Sequence, residues 1–315
     1  LTSKLVNYAP IAFFVYKRPE HTRRTIAALQ LCAEFSQSPL YVFSDGAKRP
    51  ADRALVDQTR AVVRKELGGR GKIVEAESNQ GLARSIIGGV TRLTTEFGRV
   101  IVVEDDLVVA PQFLTYMNAA LNRYADDDRV MQIAGYMFPV TAFSDRTEAL
   151  FLPFTTSWGW ATWARAWEHF DAQANGWERL DQDPSLRHRF NVHGSFDYFH
   201  MLKLQLAGAI DSWAIRWYWS VFIREGLVLH PPRTMVQNTG FDGSGTHGWR
   251  TARNFETRKE PLSRIPELPR VPTIDGQAFV EVQKVLIRAR GGYMQRTLRI
   301  LARHARKFAK AAGLM

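Results

Sequence analysis

The chain has 315 residues, of which 45% are hydrophobic and nine are tryptophan, and this composition excludes a disordered protein. Its single cysteine, Cys32, excludes an intramolecular disulfide framework and fits a reducing compartment. No apolar run has the length of a membrane-spanning helix, no secretory signal is visible, and the net charge of +11 indicates anionic partners such as nucleic acid, anionic lipid or phosphorylated substrates.

Extended and helical patterns alternate from Ala9 to about Ala134. The predicted strands cover residues 11–16, 40–44, 72–76, 100–104 and 130–134. The predicted helices cover residues 21–31, 52–67, 82–97 and 111–124. This succession predicts an α/β fold with a mostly parallel sheet and helices on both faces. The first strand is not followed by a Gly-x-Gly-x-x-Gly or a Walker-type motif, so the common dinucleotide and P-loop folds are unsupported.

The composition changes after this segment, and we divide the chain into residues 1–137, 138–260 and 261–315. All nine tryptophans lie in the second part: Trp158, Trp160, Trp163, Trp167, Trp177, Trp213, Trp217, Trp219 and Trp249. Most of these rings are expected in the core. Trp158 and Trp160 flank Gly159, which allows a backbone to pass close to a ligand, so these two remain candidates for stacking on a sugar.

The third part begins with a proline-rich stretch that predicts a linker, followed by a helix from residue 277 with a break at Gly291 and Gly292. Residues 293–310 carry six basic side chains and no acidic one, with apolar residues recurring among them. A basic amphipathic helix is typical of an anchor to an anionic membrane surface. The alternative is a solvated helix packed on its own domain.

Three consecutive acids, Glu104, Asp105 and Asp106, follow the apolar run from Val100 to Val103. Such a run predicts a strand buried on both faces, and open α/β sheets bind ligands at the carboxyl ends of their strands. Crowded carboxylates repel one another, and a divalent cation such as Mn²⁺ or Mg²⁺ relieves that repulsion. The alternative is an acidic turn.

The other predicted strands also end on polar residues, which a parallel sheet brings to the same edge. These residues are Lys17 and Arg18 after the first strand, Asp45 after the second, and Asn79 and Arg84 after the third. Together with the acids they suit a nucleoside diphosphate, because helix N-termini and arginines hold phosphates and an aspartate accepts from a base. Taken singly, they are explained as a turn, solvated charges or a helix cap.

At this point the chain resembles a known family, the GT-A-fold nucleotide-sugar glycosyltransferases, in the branch related to N-acetylglucosaminyltransferase I and bacterial sugar transferases. The resemblance covers roughly residues 9–249. Its motifs are FVYKRPEHT (14–22), FSDG (43–46), NQGLA (79–83), EDDL (104–107), SWGWATW (157–163), DSW (211–213) and NTGFDGSGTH (238–247).

The resemblance implies roles for individual residues. Asp106 is the direct metal ligand, and the other implied donor contacts are Arg18, Asp45, Asn79, Arg84, Glu104, Asp105 and His247. Asp45 is expected to read the base, whereas Glu104 and Asp105 reach ribose or sugar hydroxyls. Trp158, Trp160 and Asp242 are the acceptor-side candidates, with Asp242 also a candidate for donor contact. His247 has a second explanation as an ordinary histidine of a glycine-rich loop.

Asp211 is the implied catalytic base. The family has two acids in succession at this place, whereas here Asp211 is followed by Ser212, so the assignment fails if the second position is the true counterpart. The alternative is that Asp211 caps the helix that Trp213 begins.

These expectations describe an inverting, metal-dependent sugar transfer from a nucleotide diphosphate donor to an acceptor hydroxyl of a bacterial surface glycan or lipid-linked glycan. The basic tail is expected to hold the cytoplasmic enzyme at the inner face of the membrane. Two rivals remain open, a sugar nucleotidyltransferase and a non-catalytic carbohydrate-binding protein. A nucleic-acid-binding protein is disfavoured, because the basic residues concentrate in the tail and no recognition motif is present.

Overall fold

The computed structural model describes residues 8–242, 262 and 264–289. The strands that it defines are β1 (Ile11–Val15), β2 (Leu40–Ser44), β3 (Lys72–Glu75), β4 (Arg99–Glu104), β5 (Leu107–Val109), β6 (Val130–Ala134), β7 (Leu150–Leu152), β8 (Trp160–Trp163), β9 (Leu227–His230) and β10 (Val236–Asn238). The helices are α1 (Pro19–Gln30), α2 (Arg53–Leu67), α3 (Leu82–Phe97), α4 (Phe113–Arg123), α5 (Ala164–Trp167), α6 (Arg179–Gln182), α7 (Pro184–Phe190), α8 (Tyr198–Leu206), α9 (Trp213–Ile223) and α10 (276–289).

Eight strands form one sheet in the order β3-β2-β1-β4-β8-β6-β9-β7. Strands β3, β2, β1 and β4 pair in parallel, and β8 is antiparallel to both β4 and β6. Strand β9 is parallel to β6, and β7 at the edge is antiparallel to β9. Six strands therefore run in one direction and two in the other. The mostly parallel α/β sheet predicted from the sequence is confirmed.

Helices cover both faces of this sheet because the strands are apolar on both sides. In β1, Phe13 packs in one core cluster with α1, α2 and α4, whereas its neighbour Phe14 packs in a second cluster with α3 and α9. All five residues of β1 are buried. Since consecutive strand side chains point to opposite faces, continuous burial of this kind requires a helical layer on each side.

Residues 150–230 complete the sheet that the first part of the chain begins. Strand β8 lies between β4 and β6, so the two parts of the chain are interleaved in one core. The third part of the chain contacts the same core. The helix predicted from residue 277 corresponds to α10, whose Phe279 and Leu286 are buried in the core, and Ile274, in the stretch before it, forms a bridge with Phe151 of β7.

No helix within residues 8–242 and 264–289 combines the length and the apolarity that crossing a membrane requires. The basic segment 293–310, for which the sequence predicts a membrane-surface helix, lies outside the described residues.

One buried histidine gives the fold a pH-dependent stability. His230, at the end of β9, is fully buried, and its Nδ1 and Nε2 atoms each lie 3.2 Å from a carbonyl oxygen, of Tyr136 and Phe154. Burial lowers the pKa of His230 from 6.5 to about 4, although the two carbonyls oppose the shift.

The unfolded chain thus binds a proton at this site at a higher pH than the folded chain does. The free energy of unfolding is expected to fall as the pH drops from about 6.5 to about 4, by up to about 3 kcal/mol from this group alone. Denaturant unfolding of the wild type and of His230→Gln across this range measures the effect. Parallel pH profiles of the two proteins would contradict it.

Candidate functional site

The carboxyl ends of four parallel strands meet at one edge of the sheet, as predicted. Val15 of β1 is in register with Ser44 of β2, Ser44 with Glu75 of β3, and Phe14 with Glu104 of β4. The polar residues that follow these strands therefore emerge side by side. We call this region the strand-end edge.

The acid triplet lies at the centre of the strand-end edge and is held by its neighbours. Asp105 is only 7% exposed, and its Oδ2 accepts a hydrogen bond of 3.0 Å from the backbone N–H of Tyr16, directly after β1. The Thr25 hydroxyl of α1 donates to the Asp105 carbonyl oxygen at 2.9 Å. Glu104 and Asp106 on either side are half-buried. Glu104 thus ends β4, and Asp105 and Asp106 form the turn to β5, which is hydrogen-bonded and largely buried rather than freely solvated.

The three carboxylates disfavour one another's charge. Burial, reinforced by Asp106, raises the pKa of Asp105 to about 7, and burial with both neighbouring acids raises the pKa of Glu104 well above its ordinary value. Arg18 works in the opposite direction on both groups. The cluster therefore carries more negative potential than the surrounding protein neutralises, and additional positive charge would stabilise it.

Arg18 is ion-paired with the triplet. Its Nη1 atom lies 2.7 Å from Asp106 Oδ2 and 3.7 Å from Asp105 Oδ1, and the three side chains are each less than one fifth exposed. Lys17, by contrast, turns to Asp52 at 2.7 Å. Of the two adjacent cations, only Arg18 contacts the acids, and in this structure it neutralises the residue that the resemblance implies as metal ligand.

A short ribbon covers the triplet. Strand β10 pairs antiparallel with β5, and the segment that leaves β10 crosses Asp106, whose carbonyl oxygen accepts from the Thr239 N–H at 2.8 Å. A Cβ atom built on Gly240 would lie 2.2 Å from Asp106 Oδ2 and 3.1 Å from Arg18 Nη1. A side chain at this position would require the Asp106 carboxylate, and with it the ion pair to Arg18, to shift.

The same segment leads to two predicted residues. Asp242 ends the short turn Gly240–Asp242 directly before the segment 243–261, and its side chain is outside the described part, as is His247. Their predicted contacts with donor or acceptor therefore stay predictions.

The Asp45 carboxylate is hydrogen-bonded by neighbouring residues. Its Oδ1 accepts from the N–H groups of Gly46 and Gln80, and its Oδ2 accepts from the Asn79 side chain and the Gly81 N–H, at 2.7–3.0 Å. These four bonds fill the acceptor capacity of a carboxylate that is 9% exposed. These contacts indicate that Asp45 positions the loop before α3, and its predicted contact with a base stays a prediction.

Asn79 shares this role. Its amide donates to Asp45 Oδ2 and to the Gly46 carbonyl oxygen, both at 2.9 Å, so it joins two loops and does not cap α3. The N-cap of α3 is Gly81, whose φ of 80° is in the left-handed region. Arg84, in the first turn of α3, is exposed at the strand-end edge.

Replacing Asp45 distinguishes a positioning role from a base contact. In Asp45→Asn, the new amide nitrogen faces the Asn79 and Gly81 donors that Oδ2 now satisfies. Leaving such donors unpaired is expected to lower the free energy of unfolding by about 1–3 kcal/mol. It is also expected to weaken the binding of all nucleotides to the same extent. Denaturant unfolding and nucleotide titration measure both, with the exposed Asp57→Asn as control. A loss confined to one base, with unchanged stability, would support the base-reading role.

Asp211 lies beside the same loop. A Cβ atom built on Gly81 would be 3.4 Å from Asp211 Oδ2, so the carboxylate faces the N-terminus of α3. Its side chain is 63% exposed and lies 3.6 Å from the Arg216 guanidinium. The alternative role as a helix cap is excluded, because Ser212 is the N-cap of α9 and its hydroxyl accepts from the Ile215 N–H.

The two tryptophans that are candidates for stacking on a sugar differ in their exposure. Trp160, in β8, is fully buried and stacks on Trp213 with ring centroids 5.0 Å apart. A fully buried ring presents no face to a ligand, so the prediction that Trp160 contacts an acceptor is wrong. Trp158 is half-buried and lies 5.5 Å from the ring of Phe241, in the segment over the triplet. It remains a candidate.

A divalent cation fits this site only if a bound substrate supplies part of its coordination. Among the described residues, no three His, Cys, Asp or Glu side chains are grouped so as to hold a metal ion by themselves. Mg²⁺ and similar ions, however, are often bound by one or two carboxylates together with substrate phosphates and water. The half-buried Asp106 suits that arrangement.

Sequence reasoning missed the residues that hold the site together. The Tyr16 backbone, Thr25 and Gly240 each contact the triplet, and Ser212 frees Asp211 from a capping role. Only Ser212 had a recognisable signal, since serine before an apolar helical run is a common N-cap. The other contacts join segments that are distant in the chain.

No protein-family model matches the sequence, and no curated protein matches it. Solved structures similar to this chain include mannosyltransferase PcManGT from Pyrobaculum calidifontis in complex with GDP-Man and Mn²⁺ (12% identity, 96% of this chain and 81% of that chain, TM-score 0.45). A second is mouse xyloside xylosyltransferase 1 (13% identity, 83% of this chain and 96% of that chain, TM-score 0.36). A third is galactosyltransferase LgtC with donor and acceptor sugar analogues (11% identity, 87% of this chain and 95% of that chain, TM-score 0.37). All three are glycosyltransferases. At this level of similarity, the functional argument depends on the residues of the chain itself.

Proposed function

We propose that this chain is a GT-A-type glycosyltransferase that moves a sugar from a nucleotide diphosphate donor to an acceptor hydroxyl with inversion. The observation that carries the proposal is the shared strand-end edge. Arg18 and the acid triplet lie there under the segment 239–242, and Asp211 stands beside the adjoining N-terminus of α3. A phosphate-binding region and an exposed carboxylate thus adjoin one another.

The donor diphosphate is assigned to the region between Arg18 and α3. Helix N-termini and arginines stabilise phosphate groups, and Arg84 projects from the first turn of α3. Arg18 is bound to Asp106 at 2.7 Å, so donor binding requires this pair to open. Its guanidinium then holds a phosphate, and Asp106 becomes available to Mn²⁺ or Mg²⁺. When bound, the cation stabilises the charge of the leaving diphosphate.

Asp211 is assigned the proton transfer. Its carboxylate accepts the proton of the acceptor hydroxyl as that oxygen attacks the anomeric carbon from the face opposite the diphosphate. The exposure of Asp211 leaves room for an acceptor. Trp158, and Asp242 with His247 in the segment beyond β10, are proposed to complete the acceptor and donor contacts.

The acceptor is proposed to be a growing bacterial surface glycan, carried on a lipid at the cytoplasmic face of the membrane. The support is the basic composition of residues 293–310, which have no acidic side chain. Nucleic acid is not proposed as a partner.

A binding screen tests the donor assignment. Nucleotide sugars are added to the full chain with and without Mn²⁺, and thermal unfolding and released nucleotide are measured. A donor at a hundred times its dissociation constant is expected to stabilise the protein by about 2.7 kcal/mol. Release of nucleoside diphosphate supports a transferase. Release of pyrophosphate would instead indicate a nucleotidyltransferase, and sugar binding without any nucleotide effect would indicate a carbohydrate-binding protein.

The tail is tested by truncation. Deleting residues 293–315 is expected to leave transfer to a soluble acceptor intact and to reduce binding to anionic liposomes. Because exposed charges are screened over about 8 Å at physiological ionic strength, the lost binding should be the salt-sensitive part. Neutral liposomes are the control. Equal binding of anionic liposomes by both proteins would show that the tail is not the anchor.

A further inference from the structure

A cavity of about 560 Å³ lies away from the strand-end edge. Glu225 and Gly226, which precede β9, and Pro153, which follows the antiparallel β7, all line it. Since β9 runs in the same direction as β4, its beginning lies at the amino edge of the sheet, opposite to the acid triplet. The cavity is thus separate from the proposed transferase site, and its volume lies within the range of small-molecule sites.

The wall of this cavity is largely apolar and includes three aromatic rings. Tyr218 and Phe222 of α9 line it together with Phe279 of α10. Tyr218 and Phe279 are buried, whereas Phe222 is half-buried. Apolar lining exceeds polar lining, so the cavity offers an apolar surface to a ligand.

The mouth of the cavity carries basic side chains. Arg179 and Arg189 line it and are exposed, and His193 lies with its ring centroid 5.3 Å from that of Phe279. Among the described lining residues, Glu225 is the only acidic one, and its Oε1 is 3.7 Å from Arg189 Nη1. With His193 neutral, the described lining carries two guanidinium groups and one carboxylate, which is a net positive charge beside an apolar wall.

The backbone at this mouth is strained. The described residues include four non-glycine residues with positive φ, and three of them line the cavity: Val192 (49°), His193 (53°) and Glu225 (52°). Hydrogen bonds hold this geometry, including one from the Gly194 N–H to the His188 carbonyl and one from the Gln283 side chain of α10 to the Val192 carbonyl. Left-handed backbone is unfavourable for a β-branched residue such as valine, and retained strain of this kind clusters at ligand sites.

We propose that this cavity is a binding site for an amphiphilic organic anion, with an alkyl or aryl body against the apolar wall and a phosphate or carboxylate group at Arg179 and Arg189. Guanidinium groups match both anions in geometry and charge. The same chemistry occurs in free phosphate monoesters and in anionic lipid headgroups with their first acyl carbons.

Calorimetric titration of the full chain with hexyl phosphate, methyl phosphate and hexan-1-ol tests both halves of the proposal. Hexyl phosphate is expected to bind about tenfold or more tightly than either reference compound, because only it uses both the wall and the cations. If methyl phosphate binds as tightly as hexyl phosphate, the apolar wall does not contribute to binding. If hexan-1-ol binds as tightly, the arginines do not contribute. Either result, or the absence of saturable binding, overturns the proposal.

Substitutions locate the site. Arg179→Gln and Arg189→Gln are each expected to weaken hexyl phosphate about tenfold or more. Arg224→Gln is the matched control, because Arg224 is exposed beside Glu225 but does not line the cavity. Binding that is unchanged in both lining variants, or weakened equally by the control, places the ligand elsewhere and overturns the proposal. Competition of hexyl phosphate binding by phosphatidic acid vesicles then distinguishes the sources, because vesicle binding through the basic tail alone would not displace hexyl phosphate: displacement identifies a lipid headgroup, and no displacement identifies a free anion.

Discussion

Asp106→Asn is expected to abolish the Mn²⁺-dependent part of donor binding and to reduce sugar transfer by roughly 10²–10³-fold, since a metal ion contributes several kcal/mol of charge stabilisation. The carboxamide keeps the size of the side chain and removes its charge. The fold should persist, because Asp106 raises the pKa of its neighbour Asp105 by repulsion, and removing its charge relieves the triplet. Donor titration at several Mn²⁺ concentrations and denaturant unfolding measure the two effects.

Asp128→Asn is the matched control, because the Asp128 side chain is 93% exposed and far along the chain from the triplet. It should behave as the wild type. Undiminished, Mn²⁺-dependent donor affinity in Asp106→Asn would remove this residue from the metal assignment.

Asp211→Asn is expected to reduce transfer by roughly 10²–10⁴-fold, the usual contribution of a general base, with little change in donor affinity. The structure makes this substitution informative. Ser212 supplies the cap of α9, and the contact from Asp211 to Arg216 is 3.6 Å long, with Asp211 63% exposed and Arg216 13% exposed. The free energy of unfolding is therefore expected to fall by no more than about 1 kcal/mol, and denaturant unfolding of the variant distinguishes this small loss from the loss of rate.

Asp197→Asn provides the comparison for Asp211. Asp197 caps α8 through the His200 N–H and is exposed in the same half of the chain. Asparagine caps a helix about as well as aspartate, so this variant should transfer sugar normally. Normal transfer by Asp211→Asn, with loss in Asp197→Asn, would reverse the two assignments.

The sequence predicts the first half of the fold closely because its signals are local. The predicted strand 40–44 and helix 82–97 have the bounds that the structure shows, and alternation of the two element types implies parallel pairing. The strand-end edge follows from that pairing alone. The strand ends alone predict that residues 17–18, 45 and 104–106 lie close together, whatever contacts their side chains make.

The partners of these residues could not be predicted in the same way. A strand end specifies a position but not whether Arg18 turns to a ligand or to Asp106, and both choices satisfy its charge. Asp45 illustrates the same limit, since its four donors come from Gly46 and from a loop more than thirty residues away. The burial of Trp160 cannot be predicted from the sequence because strand β8 is only four residues long and is buried on both faces. The sequence of β8 therefore lacks the alternation of apolar and polar residues that distinguishes a buried face from an exposed one.

The place of β8 between β4 and β6 has a consequence for the order in which the chain can assemble during synthesis. Until residues 160–163 leave the ribosome, β4 has an unpaired edge directly beside the acid triplet, and exposed edges of apolar strands favour association with other chains. A fragment that ends before β8 is therefore expected to aggregate and not to bind nucleotide. The donor half and the acceptor half of this molecule should therefore not be produced separately, and co-expression of both segments is needed to form the complete eight-stranded sheet.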